Sequence, residues 1–356
     1  MPGNRSSITG QVAMTAQTLH RPAIVSQVSD LIGYTPLFEL CRTETGSRLL
    51  LKLEQYNPTG TAKIRMARQM VLDAESRGEL RSNGRIIEST SGNTGLGLAV
   101  IAAERGYTFT AVVDNHACAD KLRGMKALGA ELVYVVDDGN EELATAAREE
   151  LAEQLARGAD NTIFTEQHNT PSNAIGYYDL ARELIDALDG RIDQLIGAVG
   201  TGGSLCGTAL ELHRRIGAIT VIGVEPVGSI AFGAPGGEYY QSGTGTPPGV
   251  ETGALVDFDL IDDGVNVSDI DAFATARVVA ARTGLLIGGS AGGVVFEALR
   301  RLPFSAPGIT MVALVCDGGE KYLDTVFNDE WMSARNLIDA EAEPEVDELL
   351  RKLRGI

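Results

Sequence analysis

Tryptophan occurs once and histidine four times in 356 residues, and aromatic residues make up only 5% of the chain. The four cysteines, Cys41, Cys118, Cys206 and Cys316, lie far apart and form no CxxC pair. With so little histidine, that spacing argues against a zinc centre and reads as free thiols in a reducing compartment. No apolar run is long enough to span a bilayer, and the N-terminal stretch lacks the apolar core of a secretion signal. A cytoplasmic protein is expected. Basic residues are outnumbered, with 30 Lys and Arg against 48 Asp and Glu, for a net charge of −18. No Lys/Arg stripe stands out. Neither nucleic acid nor an anionic membrane is expected as a partner. A small anion stays open, because a local loop can bind one against the global field. What remains is an ordinary globular composition, 44% hydrophobic, in a chain long enough for two sizeable cores.

Strand-like and helix-like segments alternate along most of the chain. Arg48–Leu53, Arg85–Glu88, Thr108–Val113 and Glu131–Val136 read as strands, with helices over 96–105, 120–128 and 141–157. A second series has helices over 180–188, 204–216, 272–282 and 292–301, and strands over 194–199, 219–224 and 310–315. Such alternation predicts an α/β fold with two domains, each a mostly parallel sheet flanked by helices. Residues 1–25 read as a mobile tail and 26–62 as a segment crossing between domains. Residues 63–166 form the smaller expected domain and 167–335 the larger, followed by an acidic segment and helix over 336–356. That last helix is expected to pack on a partner subunit or on nothing. The Gly-, Pro- and Ser-rich stretch 228–253 breaks the alternation, and a long loop in a compact domain is more often functional than idle.

Three loops carry chemistry. In Asn57-Pro58-Thr59-Gly60-Thr61-Ala62-Lys63 a polar turn ends in a lysine where a helix begins. Positive charge is unfavourable at a helix N-terminus, which lowers an amine's pKa and helps make it a nucleophile or base. Ser89-Thr90-Ser91-Gly92-Asn93-Thr94-Gly95 joins a strand to a helix, and its amides and hydroxyls make a ready anion site. Gly200-Thr201-Gly202-Gly203-Ser204 is a second strand-to-helix turn. Glycine there lets successive N–H groups approach a phosphate. A bulky side chain at Gly202 or Gly203 is therefore expected to weaken retention of a phosphate-bearing ligand more than the fold. The loop is neither a P-loop nor a dinucleotide fingerprint, since no GK[ST] follows and position 205 is leucine. A compact phosphate monoester fits it better than a nucleotide.

Together these loops resemble the cysteine synthase and cystathionine β-synthase family of pyridoxal-phosphate enzymes, fold type II. The resemblance runs from about Val28 to Trp331 and includes Ile32-Gly33-Tyr34-Thr35-Pro36-Leu37, Gly288–Gly292 and Gly319-Glu320-Lys321-Tyr322-Leu323. It implies pyridoxal 5′-phosphate in the cleft between the domains, held by Lys63 as a Schiff base. It further implies that Lys63, once displaced, removes the substrate's Cα proton. By the same resemblance Asn93 hydrogen-bonds the cofactor's ring oxygen, and Gly200, Thr201, Gly202, Gly203 and Ser204 cradle its phosphate. Thr90, Ser91, Gly92, Thr94 and Gln167 bind the substrate carboxylate. At the ring nitrogen the alignment leaves Cys316 or Asp317; the elimination-type surroundings favour Cys316, whose neutral thiol leaves that nitrogen uncharged. A homodimer is expected.

Departures from the family pattern bear on specificity. Ile64 replaces an aspartate after the lysine, which removes a charge partner, expected to be that of Arg65. Pro248-Gly249-Val250-Glu251-Thr252-Gly253 places a carboxylate near the expected site mouth, where it would repel an anionic nucleophile and attract an amine. His116 and His168 are given no role. The implied activity is β-replacement on an O-activated L-serine through an aminoacrylate, with a small nucleophile, as in cysteine biosynthesis. The alternatives are an amine-using synthase of a 2,3-diaminopropionate precursor and a serine/threonine dehydratase-like lyase. Because loop 228–253 holds Glu238 and Glu251 and no Lys or Arg, acetylserine is favoured over phosphoserine unless Lys121 or Arg123 turns inward.

Overall fold

The computed structural model describes residues 24–90, 92–114, 119–135 and 141–355, with the backbone alone at 141–145. The tail before residue 24, and Ser91, His116 and Cys118, lie outside the described residues. The chain runs β1 (Leu37–Arg42), β2 (Arg48–Leu53), α1 (Lys63–Ser76), β3 (Arg85–Ser89), α2 (Asn93–Arg105), β4 (Thr108–Val113), α3 (Ala119–Ala127), β5 (Glu131–Tyr134), α4 (Glu141–Ala156) and β6 (Thr162–Phe164). It continues through α5 (Pro171–Ile175), α6 (Tyr178–Leu188), β7 (Gln194–Ala198), α7 (Gly203–Ile216), β8 (Thr220–Pro226), β9 (Asp263–Val267), α8 (Asp269–Thr283) and α9 (Gly289–Arg301). Then come β10 (Thr310–Val315), α10 (Asp329–Ser333) and α11 (Ala342–Arg354). The alternation read from the sequence is therefore present, with two mostly parallel sheets flanked by helices. A four-stranded parallel sheet has the order β5-β4-β3-β6. A six-stranded sheet has the order β1-β2-β10-β7-β8-β9. In it only β1 runs antiparallel to its neighbour.

The N-terminal hairpin is a topological surprise. β2 pairs in parallel with β10, Arg48 opposite Thr310 through Leu53 opposite Val315. Strands from the two ends of the chain thus lie side by side, and the four-stranded sheet is inserted between them in sequence. Both sheets are covered on both faces, as parallel sheets require. Helix α1 is shared. Met66 and Met70 enter the core beneath the six-stranded sheet, while Ile64, Ala67 and Val71 enter that of the four-stranded sheet. Lys63, its first residue, therefore stands where the two sheets meet. The C-terminal helix packs on its own chain: Val346, Leu350 and Leu353 of α11 join the core with α8 and α9, and Arg282 bridges to Asp347.

Candidate active site

A buried charge network fixes the lysine loop. Arg65 lies one turn into α1 and is 1% exposed. Its Nε sits 2.6 Å from Glu54 Oε2 and its Nη1 2.7 Å from Glu183 Oε1. Lys52 adds a bond of 2.6 Å to Glu183 Oε2. Burial would raise the Glu183 carboxyl, but hydrogen bonds and charge from Arg65, then Lys52, pull it down to about 2. Asn57 Nδ2 donates to Glu54 Oε2 at 2.9 Å, and its Oδ1 accepts from Gly33 N at 2.9 Å. Arg65 thus has two carboxylate partners, contrary to the expectation that Ile64 leaves it without one. Ile64 itself is fully buried in the small-sheet core.

Between the sheets is a cavity of about 550 Å³. Lys63, Thr90, Gly92, Asn93, Thr94, Gln167, Gly200, Thr201, Gly202, Ser204 and Cys316 all line it. Three loops distant in sequence are thereby brought together. Burial pulls the Lys63 ammonium below the ordinary lysine range, against the opposing influence of Cys316, Glu88 and Asp317. Asn93 donates from Nδ2 to Asp317 Oδ2 at 2.8 Å, and Lys321 Nζ donates to Asn93 Oδ1 at 3.2 Å. The same ammonium bonds the carbonyls of Thr59 at 2.9 Å and Gly60 at 3.0 Å. Thr94 Oγ1 donates to Gln167 Oε1 at 2.8 Å, and Gln167 Nε2 donates to the Ser89 carbonyl at 3.3 Å.

Gly200 to Ser204 connect β7 to α7. Among the described residues the N–H groups of Gly202, Gly203 and Ser204 have no acceptor, as expected of a helix start open to an anion. Gly203 itself does not line the cavity. A Cβ there would collide with the Asn173 side chain, and one at Gly202, where φ is +87°, would meet the Leu255 carbonyl at 2.5 Å. Glycine is thus required by packing as well as by ligand approach, so substitution at either position perturbs the local fold directly. This corrects the expectation that retention would suffer first.

Cys316 and Asp317 both line the cavity. Burial pushes the Cys316 thiol up to about 12, so it stays neutral. Asp317 is 3% exposed, and its Oδ2 also accepts from Tyr322 Oη at 2.7 Å. Asp317 Oδ1, Asn173 Oδ1 and Tyr177 Oη are buried and lack a hydrogen-bond partner among the described residues. Asp317 and Tyr177 line the cavity, and orphaned atoms there indicate a site shaped for a polar ligand. A buried amine of lowered pKa, open helix-start amides and an amide beside a carboxylate match what pyridoxal phosphate needs.

Neither Asn173 nor Tyr177 stands in a motif that sequence reasoning singles out. Asn173 Nδ2 ties the Gln167 carbonyl at 2.6 Å to Thr201 Oγ1 at 3.1 Å, which couples two of the loops. Nearby, Arg148 pairs with Asp114 at 2.6 Å. His168 lines the cavity with Nε2 3.7 Å from Glu149, and burial, then Lys63 and Arg148, push its pKa down to about 4. Glu251 and Glu238 line the rim and are exposed. Lys121 does turn inward. It is 6% exposed, lines the cavity, and places Nζ 5.2 Å from the Tyr322 ring centroid. Arg123 faces solvent and pairs with Asp120.

Comparison with known proteins gives the same reading. Residues 28–317 match the family described as pyridoxal-phosphate dependent enzyme. A putative cysteine synthase of Sinorhizobium fredii is 48% identical, covering 90% of this chain and 96% of its own. An N-(2-amino-2-carboxyethyl)-L-glutamate synthase of Ralstonia nicotianae is 33% identical, covering 87% and 92%. The crystal structure of an O-acetylserine dependent cystathionine beta-synthase from Helicobacter pylori superposes with a TM-score of 0.77 at 30% identity, covering 85% and 99%. The chain belongs to the family of pyridoxal-phosphate dependent enzymes and is a β-substituting member of the cysteine synthase type.

Proposed function

We propose that the protein exchanges the β-substituent of an O-activated L-serine for a small sulfur nucleophile. The convergence of Lys63, the 90–94 loop and the 200–204 loop on one cavity carries this reading. The similarity to the Sinorhizobium protein supports sulfur as the incoming atom. When bound, pyridoxal phosphate supplies the electron sink that makes the Cα proton removable. Lys63 would hold it through its amine and, once released, take up that proton; its depressed pKa suits both duties. Asn93 would orient the ring oxygen. The amides and hydroxyls of residues 200–204 would receive the phosphate at the start of α7. Thr90, Ser91, Gly92, Thr94 and Gln167 would hold the substrate carboxylate. Cys316, neutral beside the ring, would leave its nitrogen unprotonated and so favour elimination.

One observation favours an amine instead. Glu238 and Glu251 at the rim favour an incoming cation, and the Ralstonia relative supports the same alternative. Offering sulfide, thiosulfate and amino acids to the holoenzyme with acetylserine or phosphoserine, and weighing the products by mass spectrometry, separates the readings. A sulfur-containing amino acid is the expected product. A substituted 2,3-diaminopropionate would replace the leading reading by the amine one, and a 2-oxo acid formed without nucleophile would remove both.

A further inference from the structure

We infer that Lys121 forms an anion subsite for the β-substituent, so that the substrate is a serine carrying a phosphate ester. The inference rests on the proposed β-replacement and refines it. Lys121 is on the first turn of α3 and is 94% removed from solvent by the complement of its 6% exposure. Its ammonium makes a cation–π contact with Tyr322 and, among the described residues, no hydrogen bond or ion pair. A Cβ placed on Gly92 would lie 3.4 Å from Nζ, so the charge sits against the substrate loop. A buried ammonium without an anion is unfavourable, and an aromatic face compensates only part of that cost.

The other charges of the cavity do not serve this purpose. Arg148 is neutralised by Asp114. Lys63 is reserved for the cofactor in the proposed reading. In the proposed reading the substrate's α-carboxylate would meet the N–H groups of Asn93 and Thr94 at the start of α2, which have no acceptor among the described residues. Glu238 and Glu251 are exposed at the rim, where solvent and salt screen them, whereas Lys121 acts through a low-dielectric wall. The buried cation therefore outweighs the rim carboxylates for a dianion bound against Gly92. In the reaction the Cα proton passes to Lys63, the electron pair it leaves forms the Cα=Cβ bond, and the Cβ–O bond breaks. The bonding pair leaves with inorganic phosphate, and Lys121 neutralises the charge that develops on it.

The test compares first-turnover release of inorganic phosphate from phosphoserine with release of acetate from acetylserine, using holoenzyme. The variants are Lys121→Met, Lys121→Arg and the exposed control Arg123→Gln. The wild type should prefer phosphoserine, and Lys121→Met should lower the phosphoserine-to-acetylserine efficiency ratio by about 100-fold, the scale of a lost buried charge pair. Lys121→Arg should restore much of the ratio, and Arg123→Gln should leave it unchanged. Inorganic phosphate should compete with substrate in the wild type and lose that effect in Lys121→Met. An equal fall for both substrates would overturn the subsite, because Lys121 would then serve a part they share. A wild-type preference for acetylserine untouched by Lys121→Met would overturn it as well. Release of neither phosphate nor acetate would instead remove β-replacement, on which the subsite depends.

Discussion

Asn93 and Asp317 are 224 residues apart, yet the Asn93 amide donates to the Asp317 carboxylate at 2.8 Å. One opens α2 beside the small sheet, and the other follows β10 of the large sheet. Lys321 holds the opposite end of the same amide, so both its donor and its acceptor are engaged. The orientation of Asn93 is set by the protein before a ligand arrives, which is how a rigid site limits reorganisation on binding.

Lys321→Met should loosen this arrangement. It removes bonds to Thr59, Gly60 and Asn93, and each net hydrogen bond to a charged group contributes about 1.5–3 kcal/mol. Cofactor content after dialysis should fall, and the apoenzyme should unfold at lower denaturant. Full retention with unchanged stability would show that Asn93 is held by Asp317 alone.

Lys63→Ala should abolish turnover together with the visible absorption of covalently held cofactor. An unchanged spectrum would sink the assignment of Lys63. Because Lys63 faces the cavity, little loss of fold stability is expected by circular dichroism.

Arg65→Met should destabilise the fold by about 3–5 kcal/mol, since Glu54 and Glu183 would be left buried and uncompensated. Denaturant titration of the apoenzyme measures it. If the cost is below about 1 kcal/mol, the network is far wetter than its burial indicates.

Glu88 provides a pH signature. Burial raises its carboxyl to about 8, against hydrogen bonds from Thr165 and Gln167; Glu166 and Glu149 push the same way as burial. The folded state therefore keeps a proton that the unfolded chain releases near the ordinary glutamate value. The unfolded state binds fewer protons, so this contribution is full below about pH 4.5 and is lost as pH rises toward 8. The slope is at most about 1.4 kcal/mol per pH unit. Glu88→Gln should abolish it, leaving a flatter stability profile between pH 5 and 8 than the wild type. Parallel profiles for the two proteins would place the folded Glu88 in its ionised form.

The sequence by itself determined the local chemistry. Lys63 at a helix start, the 89–95 turn and the 200–204 glycine turn are each set within a few residues, because backbone conformation at a strand-to-helix junction is decided by its own glycines, hydroxyls and caps. The alternating elements were equally legible, since hydrophobic periodicity is a property of neighbours. Tertiary structure decided what lies far apart. The pairing of β2 with β10 depends on strands near opposite ends of the chain, and nothing local in Arg48–Leu53 names its partner. That pairing brings the start of α1 to Cys316 and Asp317, so the cavity exists only once both sheets have formed. The inward turn of Lys121 left a faint trace, as it shares a helix face with buried Met125 four residues on, whereas Arg123 does not. Whether that face meets a hydrophobic core or a cavity is decided by packing against Gly92 and Tyr322, which no local pattern encodes.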